Sequence, residues 1–158
     1  MLDFGYYNMD CNAGMKQFPD KFFDLAIVDP PYGVGDFNMK TGAGIYKPGT
    51  KCNTLPVEWN NDIPQKEYFN ELIRVSEKRI IWGANYYNCF DPGGALIWYK
   101  NIGHKKLSQC EIASISWQKR VDYFEFKKLT GFLAPEKYIH PCQKPLALYR
   151  WILQQYAS

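Results

Sequence analysis

Phe23-Asp24-Leu25-Ala26-Ile27-Val28-Asp29-Pro30-Pro31-Tyr32-Gly33 is the stretch on which the fold turns. Leu25 to Val28 is continuously apolar, the pattern of a strand covered on both faces in a parallel sheet. The two prolines after Asp29 remove backbone donors and restrict φ, so the strand stops sharply. A carboxylate, a rigid turn and an aromatic ring therefore stand at the carboxyl end of a buried strand, where open α/β sheets bind ligands. The prolines leave nearby carbonyls facing that crevice and Tyr32 offers a flat face, a cradle suited to a planar amine.

Ahead of this strand, Cys11 to Phe18 reads as a short helix capped by Asp10 or Asn12, with Pro19-Asp20 as the turn. Gly33 to Pro64 is rich in Gly, Asn, Lys, Pro and Thr without periodicity and predicts a long surface loop. Gln65 to Glu77 follows as a helix with Tyr68, Phe69, Leu72, Ile73 and Ser76 on its inner face. Arg79 to Trp82, closed by Gly83, and Ala95 to Tyr99, entered through Asp91-Pro92-Gly93-Gly94, read as strands joined by a short helix over Ala84 to Phe90. Glu111 to Gln118 alternates as a strand that pairs antiparallel to its predecessor. Pro145 to Gln155 is a proline-opened helix with Leu146, Tyr149, Ile152 and Leu153 inward. Strands alternating with helices predict one three-layer α/β/α domain over residues 1–158.

Composition sets the limits. A hydrophobic share of 46% supplies a sizeable core. The five cysteines are odd in number and scattered, and neither His104 nor His140 has a partner at ligand spacing, so the thiols read as reduced and no metal is assigned. The most apolar windows fall far short of the roughly 20 residues that a bilayer requires. The N-terminus does not look like a secretory signal, so a cytoplasmic protein without a membrane partner is expected. A net charge of +3 is too small to identify a nucleic-acid binder, although Lys100, His104, Lys105 and Lys106, then Lys119, Arg120, Lys127 and Lys128, cluster in the second half.

Asp29-Pro30-Pro31-Tyr32 resembles the catalytic motif of S-adenosylmethionine-dependent amino-methyltransferases, in the Asp-led form that acts on adenine N6 in DNA. Tyr7-Asn8-Met9-Asp10-Cys11 with Met15 to Asp24 is similar to that family's lead-in to the catalytic strand. His140-Pro141-Cys142-Gln143-Lys144-Pro145 is similar to the segment that opens the helix beside the cofactor in the permuted subgroup, where the catalytic half comes first. The three segments lie in the family's order and cover most of the chain. The resemblance implies a partial Rossmann-like methyltransferase fold, with DNA as partner and S-adenosylmethionine as cofactor. It implies that Asp29 and the Pro30 carbonyl accept hydrogen bonds from the adenine amino group, with Pro31 in the same cradle. Tyr32 would stack on a base taken out of the duplex. Asp10 is assigned near the adenosine, with Gln143, Lys144 and Pro145 beside the methionine end. Asp10 reads equally as a helix cap and Pro145 as the first residue of a helix. Trp117 is a weaker candidate for a second aromatic wall, core packing being the favoured reading.

The family's glycine-rich Phe-x-Gly-x-Gly turn is expected after the final helix, and the chain stops at Ser158. Half of the cofactor site is therefore expected to be absent. The readings are a truncated methyltransferase, one completed by a second chain, or a catalytically silent DNA-binding or assembly module. The sheet edge beside the catalytic strand should then be exposed, which predicts a homo-oligomer or another protective contact. Only about twenty residues separate the last pocket strand from His140, too few for a separate recognition domain. The loop from Gly33 to Pro64, with Lys40, Lys47 and Lys51, is the expected phosphate-contacting surface instead. An RNA or protein amino-methyltransferase ranks last, because in those groups the glycine-rich turn precedes the catalytic motif.

Overall fold

Phe23–Val28 forms strand β1, and Ser76–Trp82 forms β2 in parallel register beside it, with Phe23 opposite Ser76 and Val28 opposite Ile81. The structure, a computed structural model, describes residues 4–33, 62–90, 93–101, 108–126 and 143–157. Three further strands are β3 (Gly94–Tyr99), β4 (Cys110–Ile115) and β5 (Val121–Glu125). The helices are α1 (Cys11–Met15), α2 (Lys66–Val75), α3 (Ala84–Tyr87) and α4 (Leu146–Tyr156). The sheet order is β1-β2-β4-β3-β5, with β4 antiparallel to both of its neighbours. The chain is a mixed α/β fold.

No turn separates α2 from β2, because Ser76 is at once the C-cap and the first strand residue. The helix-end carbonyls find partners in the turn that precedes β1. Lys21 donates from Nζ to the carbonyls of Ile73 and Ser76 at 2.9 and 3.0 Å, and from its amide to Arg74 at 2.8 Å. Arg74 reciprocates with bonds to the carbonyls of Met15 and Phe18 and to Asp20. A cation at a helix C-terminus also complements the helix dipole. These contacts fix the position at which β1 begins, and hence where Asp29 ends.

The core lies on both faces of the sheet. Ile80 and Trp82 of β2 join Leu96, Trp98, Ala113 and Ile115 beneath Leu148, Ile152 and Tyr156 of α4. Ile81, one residue out of phase, faces Tyr68 and Leu72 of α2. Helices therefore cover the sheet on two sides. Gly94 opens β3 because a Cβ there would lie 2.0 Å from the Gln118 carbonyl oxygen.

Several expected details differ. The buried stripe of α4 is Leu148, Ile152 and Tyr156, while Leu146 and Leu153 are each 50% exposed. Leucines occur around this helix, so periodicity alone does not choose a face; the buried Lys144 and Pro145 at its entrance do. In α2 the inward stripe is Tyr68, Leu72 and Val75, with Ile73 turned outward. Strand β5, parallel to β3, was not anticipated. Its pattern was concealed because Asp122 is partly buried, accepting from Gln118, Arg120 and Tyr156. β4 ends at Ile115 rather than Gln118, leaving Trp117 in the following turn. β1 terminates the strand order and is only partly covered along its length, as expected for an edge. Among the described residues, no helix is long and apolar enough to cross a membrane.

Candidate functional site

Because β4 runs against β1, β2 and β3, its first residues lie at the edge where those three strands end. Asp29 after β1, Gly83 after β2, Lys100 after β3 and Glu111 at the start of β4 therefore converge. Lys144, immediately ahead of α4, enters among them.

The Lys144 side chain is 3% exposed, and its Nζ lies 2.5 Å from Asp29 Oδ2 and 3.1 Å from Glu111 Oε2. It also donates to the Tyr32 hydroxyl at 3.1 Å, from 112 residues further along the chain. Glu111 Oε1 meets Lys100 Nζ at 2.8 Å. Lys100, Glu111, Lys144 and Asp29 form a row of alternating charge, the arrangement that allows ionised groups to persist away from water. Burial alone would raise the Glu111 carboxyl, but the ammonium groups of Lys144 and Lys100 outweigh it and hold the group below the usual glutamate range. Lys144 Nζ is 5.2 Å from the ring centre of Trp82 and 5.6 Å from that of Tyr32, within cation–π range.

Tyr32 donates its hydroxyl to Asp29 Oδ1 at 2.7 Å. Burial, and then the charges of Asp29 and Glu111, push that hydroxyl well above the ordinary tyrosine range, so it remains a protonated donor. Tyr87 shares its single hydroxyl proton between the carbonyls of Pro30 and Pro31, each 2.7 Å away. Burial followed by Asp29 likewise raises its hydroxyl. Tyr149 is pushed up to about 12, first by burial and then by Asp29 and Glu111. Each carboxylate and carbonyl oxygen has two lone pairs, so Asp29 and Pro30 retain capacity for a further donor.

The edge of the Tyr32 ring rests on Gly83, which sits at φ 77° and whose replacement by a residue with a Cβ would bring that atom 2.4 Å from the ring. Tyr86 stacks on Tyr32 with ring centres 4.9 Å apart and planes inclined by 15°. Beside Asp29 opens a cavity of about 520 Å³ whose lining includes Cys11, Asn12, Val28, Pro30, Ile63 and Tyr68. Asn12 Oδ1 is buried without a hydrogen-bond partner among the described residues. A buried acceptor of this kind costs free energy until a donor reaches it.

Of the residues singled out from the sequence, Asp29, Pro30, Pro31, Tyr32 and Lys144 come together. Pro145 is fully buried at the N-cap of α4, and Gln143 is partly buried just before Lys144. Asp10 caps α1, accepting from the Ala13 amide at 2.9 Å, while the next two residues line the cavity. Trp117 is not brought to the site. It follows β4 at the opposite edge of the sheet, where it meets Tyr156 edge-on and lies under Lys78, so its core-packing reading describes its place. Lys40, Lys47, Lys51 and residues 140–142 lie outside the described residues. Among the described residues no cluster of His, Cys, Asp or Glu could hold a metal ion, and Cys11, Cys89 and Cys110 are free thiols.

Glu111, Lys100, Asn12, Tyr86 and Tyr87 were not singled out as site residues from the sequence. The position of Lys100 and Glu111 at strand ends was visible there; their pairing through Lys144 depends on strand order. No protein-family model matches the chain, and no curated protein matches it.

Proposed function

We propose that this chain is the target-base half of a DNA adenine-N6 methyltransferase, with S-adenosylmethionine as the methyl donor. The observation that carries the reading is the junction at the end of β1, where Asp29 is met by Tyr32 and by the buried Lys144. A rigid acceptor pair, Asp29 and the Pro30 carbonyl, beside a flat aromatic ring suits an amino-bearing heterocycle. Hydrogen bonds from the amine to these acceptors raise its nucleophilicity, because they counter delocalisation of its lone pair into the ring. Lys144 and Tyr32 hold the carboxylate in place, so it need not reorganise as charge develops.

The cavity beside Asp29 fits the cofactor in chemical character. Its apolar lining suits an adenosine, and the unpartnered Asn12 Oδ1 suits a ribose hydroxyl or an amino group. When bound, S-adenosylmethionine would supply an electrophilic methyl group. Asn12, Pro30 and Tyr68 are the residues we assign to holding it. The outer edge of β1, which pairs with no strand among the described residues, suits an added strand to complete the sheet.

The test is transfer of labelled methyl groups to adenine-containing DNA. Asp29→Ala is expected to lower the rate at least about a hundredfold, by analogy with removal of one pre-organised polar group. Equal rates for Asp29→Ala and the parent, or transfer to DNA lacking adenine, would refute the assignment.

A further inference from the structure

The consecutive tyrosines of α3 are held very differently. The Tyr87 hydroxyl is anchored by one proton shared between the Pro30 and Pro31 carbonyls. Tyr86 is 44% exposed, its contact with the site is the parallel stack on Tyr32, and no hydrogen bond to its hydroxyl occurs among the described residues. Helix α3 is a single turn between two residues in left-handed conformation, Gly83 at φ 77° and Asn88 at φ 52°. The backbone of Gly83 is tied to β4 through the Ile112 carbonyl at 2.9 Å. Tyr86 is thus a solvent-facing ring on a short, anchored element, covering a face of Tyr32 that a planar ligand would use.

We infer that Tyr32 and Tyr86 are the two walls of an aromatic clamp, closed on itself here, and that a planar amino-heterocycle of the adenine class binds between them. The inference rests on the proposed function and adds a specificity-determining residue to it. The polar groups at the clamp's rim match that ligand class. Asp29 Oδ1, 2.7 Å from the Tyr32 hydroxyl, and the Pro30 carbonyl are acceptors for an exocyclic amine, held in place by the Lys144 ammonium that meets Asp29 and the Tyr32 hydroxyl. A base between the rings requires them to stand roughly 7 Å apart, twice the 3.4 Å repeat of stacked bases. Tyr32 and Tyr86, already in stacking contact with centres 4.9 Å apart, therefore have to part by one further layer of about 3.4 Å, a movement the exposed Tyr86 can make and the hydrogen-bonded Tyr32 cannot readily make. The self-stack also keeps two aromatic faces from water. Trp117, the sequence candidate for the second wall, stands at the other edge of the sheet, and Tyr86 takes that role.

The experiment measures binding of a labelled single-stranded oligodeoxyadenylate, and of an abasic strand of equal length, by fluorescence anisotropy. The proteins compared are the full chain and its Tyr86→Phe, Tyr86→Leu and Tyr86→Ala variants. The parent and Tyr86→Phe are expected to prefer the adenine strand, and Tyr86→Ala and Tyr86→Leu to lose about tenfold of that preference, the scale of one base–aromatic stack. Affinity for the abasic strand should remain unchanged in all four. An adenine preference that survives intact in Tyr86→Ala overturns the clamp and leaves the proposed function standing. Equal losses on both strands would mark Tyr86 as merely structural and also overturn it. No adenine preference in the parent would overturn the clamp and the proposed function together.

Discussion

Replacing Lys144 with Met removes the cation that meets both Asp29 and Glu111 while keeping a flexible apolar chain against Trp82 and Tyr32. Stripping one partner from a buried ion pair typically costs about 3–5 kcal/mol. Here the loss is smaller, for two reasons visible in the geometry. Lys100 continues to neutralise Glu111 at 2.8 Å, and the Asp29 side chain is 33% exposed, so water reaches it. An expected cost of about 2–3 kcal/mol follows, and in a chain of this size about 2–4 °C of Tm accompany each kcal/mol. Thermal unfolding followed by circular dichroism should therefore show Tm lower by roughly 5–10 °C. Glu111→Gln combined with Lys144→Met should cost less than the sum of the two single losses, because the Lys144–Glu111 contact is counted in both. The pH dependence supplies a second check. The Glu111 carboxyl is depressed in the folded state, so its contribution is present above the ordinary glutamate range, near about pH 4.3, and is lost as pH falls through the lowered folded value. Lys144→Met should flatten that acid-side loss. A Tm change below about 2 °C, or losses that simply add in the double variant, would refute the claim that Lys144 bridges the two carboxylates.

Two further outcomes follow from the geometry. Gly83→Ala places a Cβ 2.4 Å from the Tyr32 ring on a left-handed residue, so it should cost at least about 1–2 kcal/mol and weaken the adenine preference along with stability; an unchanged Tm and unchanged preference would show that Tyr32 does not depend on this approach. The outer edge of β1, unpaired among the described residues, should make association concentration-dependent, and light scattering that reports one monomeric mass over a wide concentration range would count against an added strand there.

The strand at Leu25 to Val28 and its stop at Asp29 were legible in the sequence, because both rest on local rules: apolar continuity and the constraints of consecutive prolines. The helix after Pro64, the strands on either side of the short α3 and the antiparallel β4 were legible for the same kind of reason. Strand β5 was not, since Asp122 occupies a partly buried position and interrupts the apolar alternation. Nor was the buried face of α4, where leucines point in several directions.

The candidate site divides along the same line. Asp29-Pro30-Pro31-Tyr32 is a contiguous segment, and its chemistry belongs to those four side chains and their backbone wherever they are placed. Glu111, Lys100 and Lys144 matter only through their meeting, which requires β4 to run between β2 and β3 and α4 to begin at that edge. Trp117, a weaker candidate for a pocket wall whose favoured reading is core packing, follows β4 at the far edge of the sheet and packs there against Tyr156. Sequence alone determined which groups could accept a hydrogen bond or stack. Strand order and direction, the product of packing two cores on opposite faces of one sheet, decided which of them share a site.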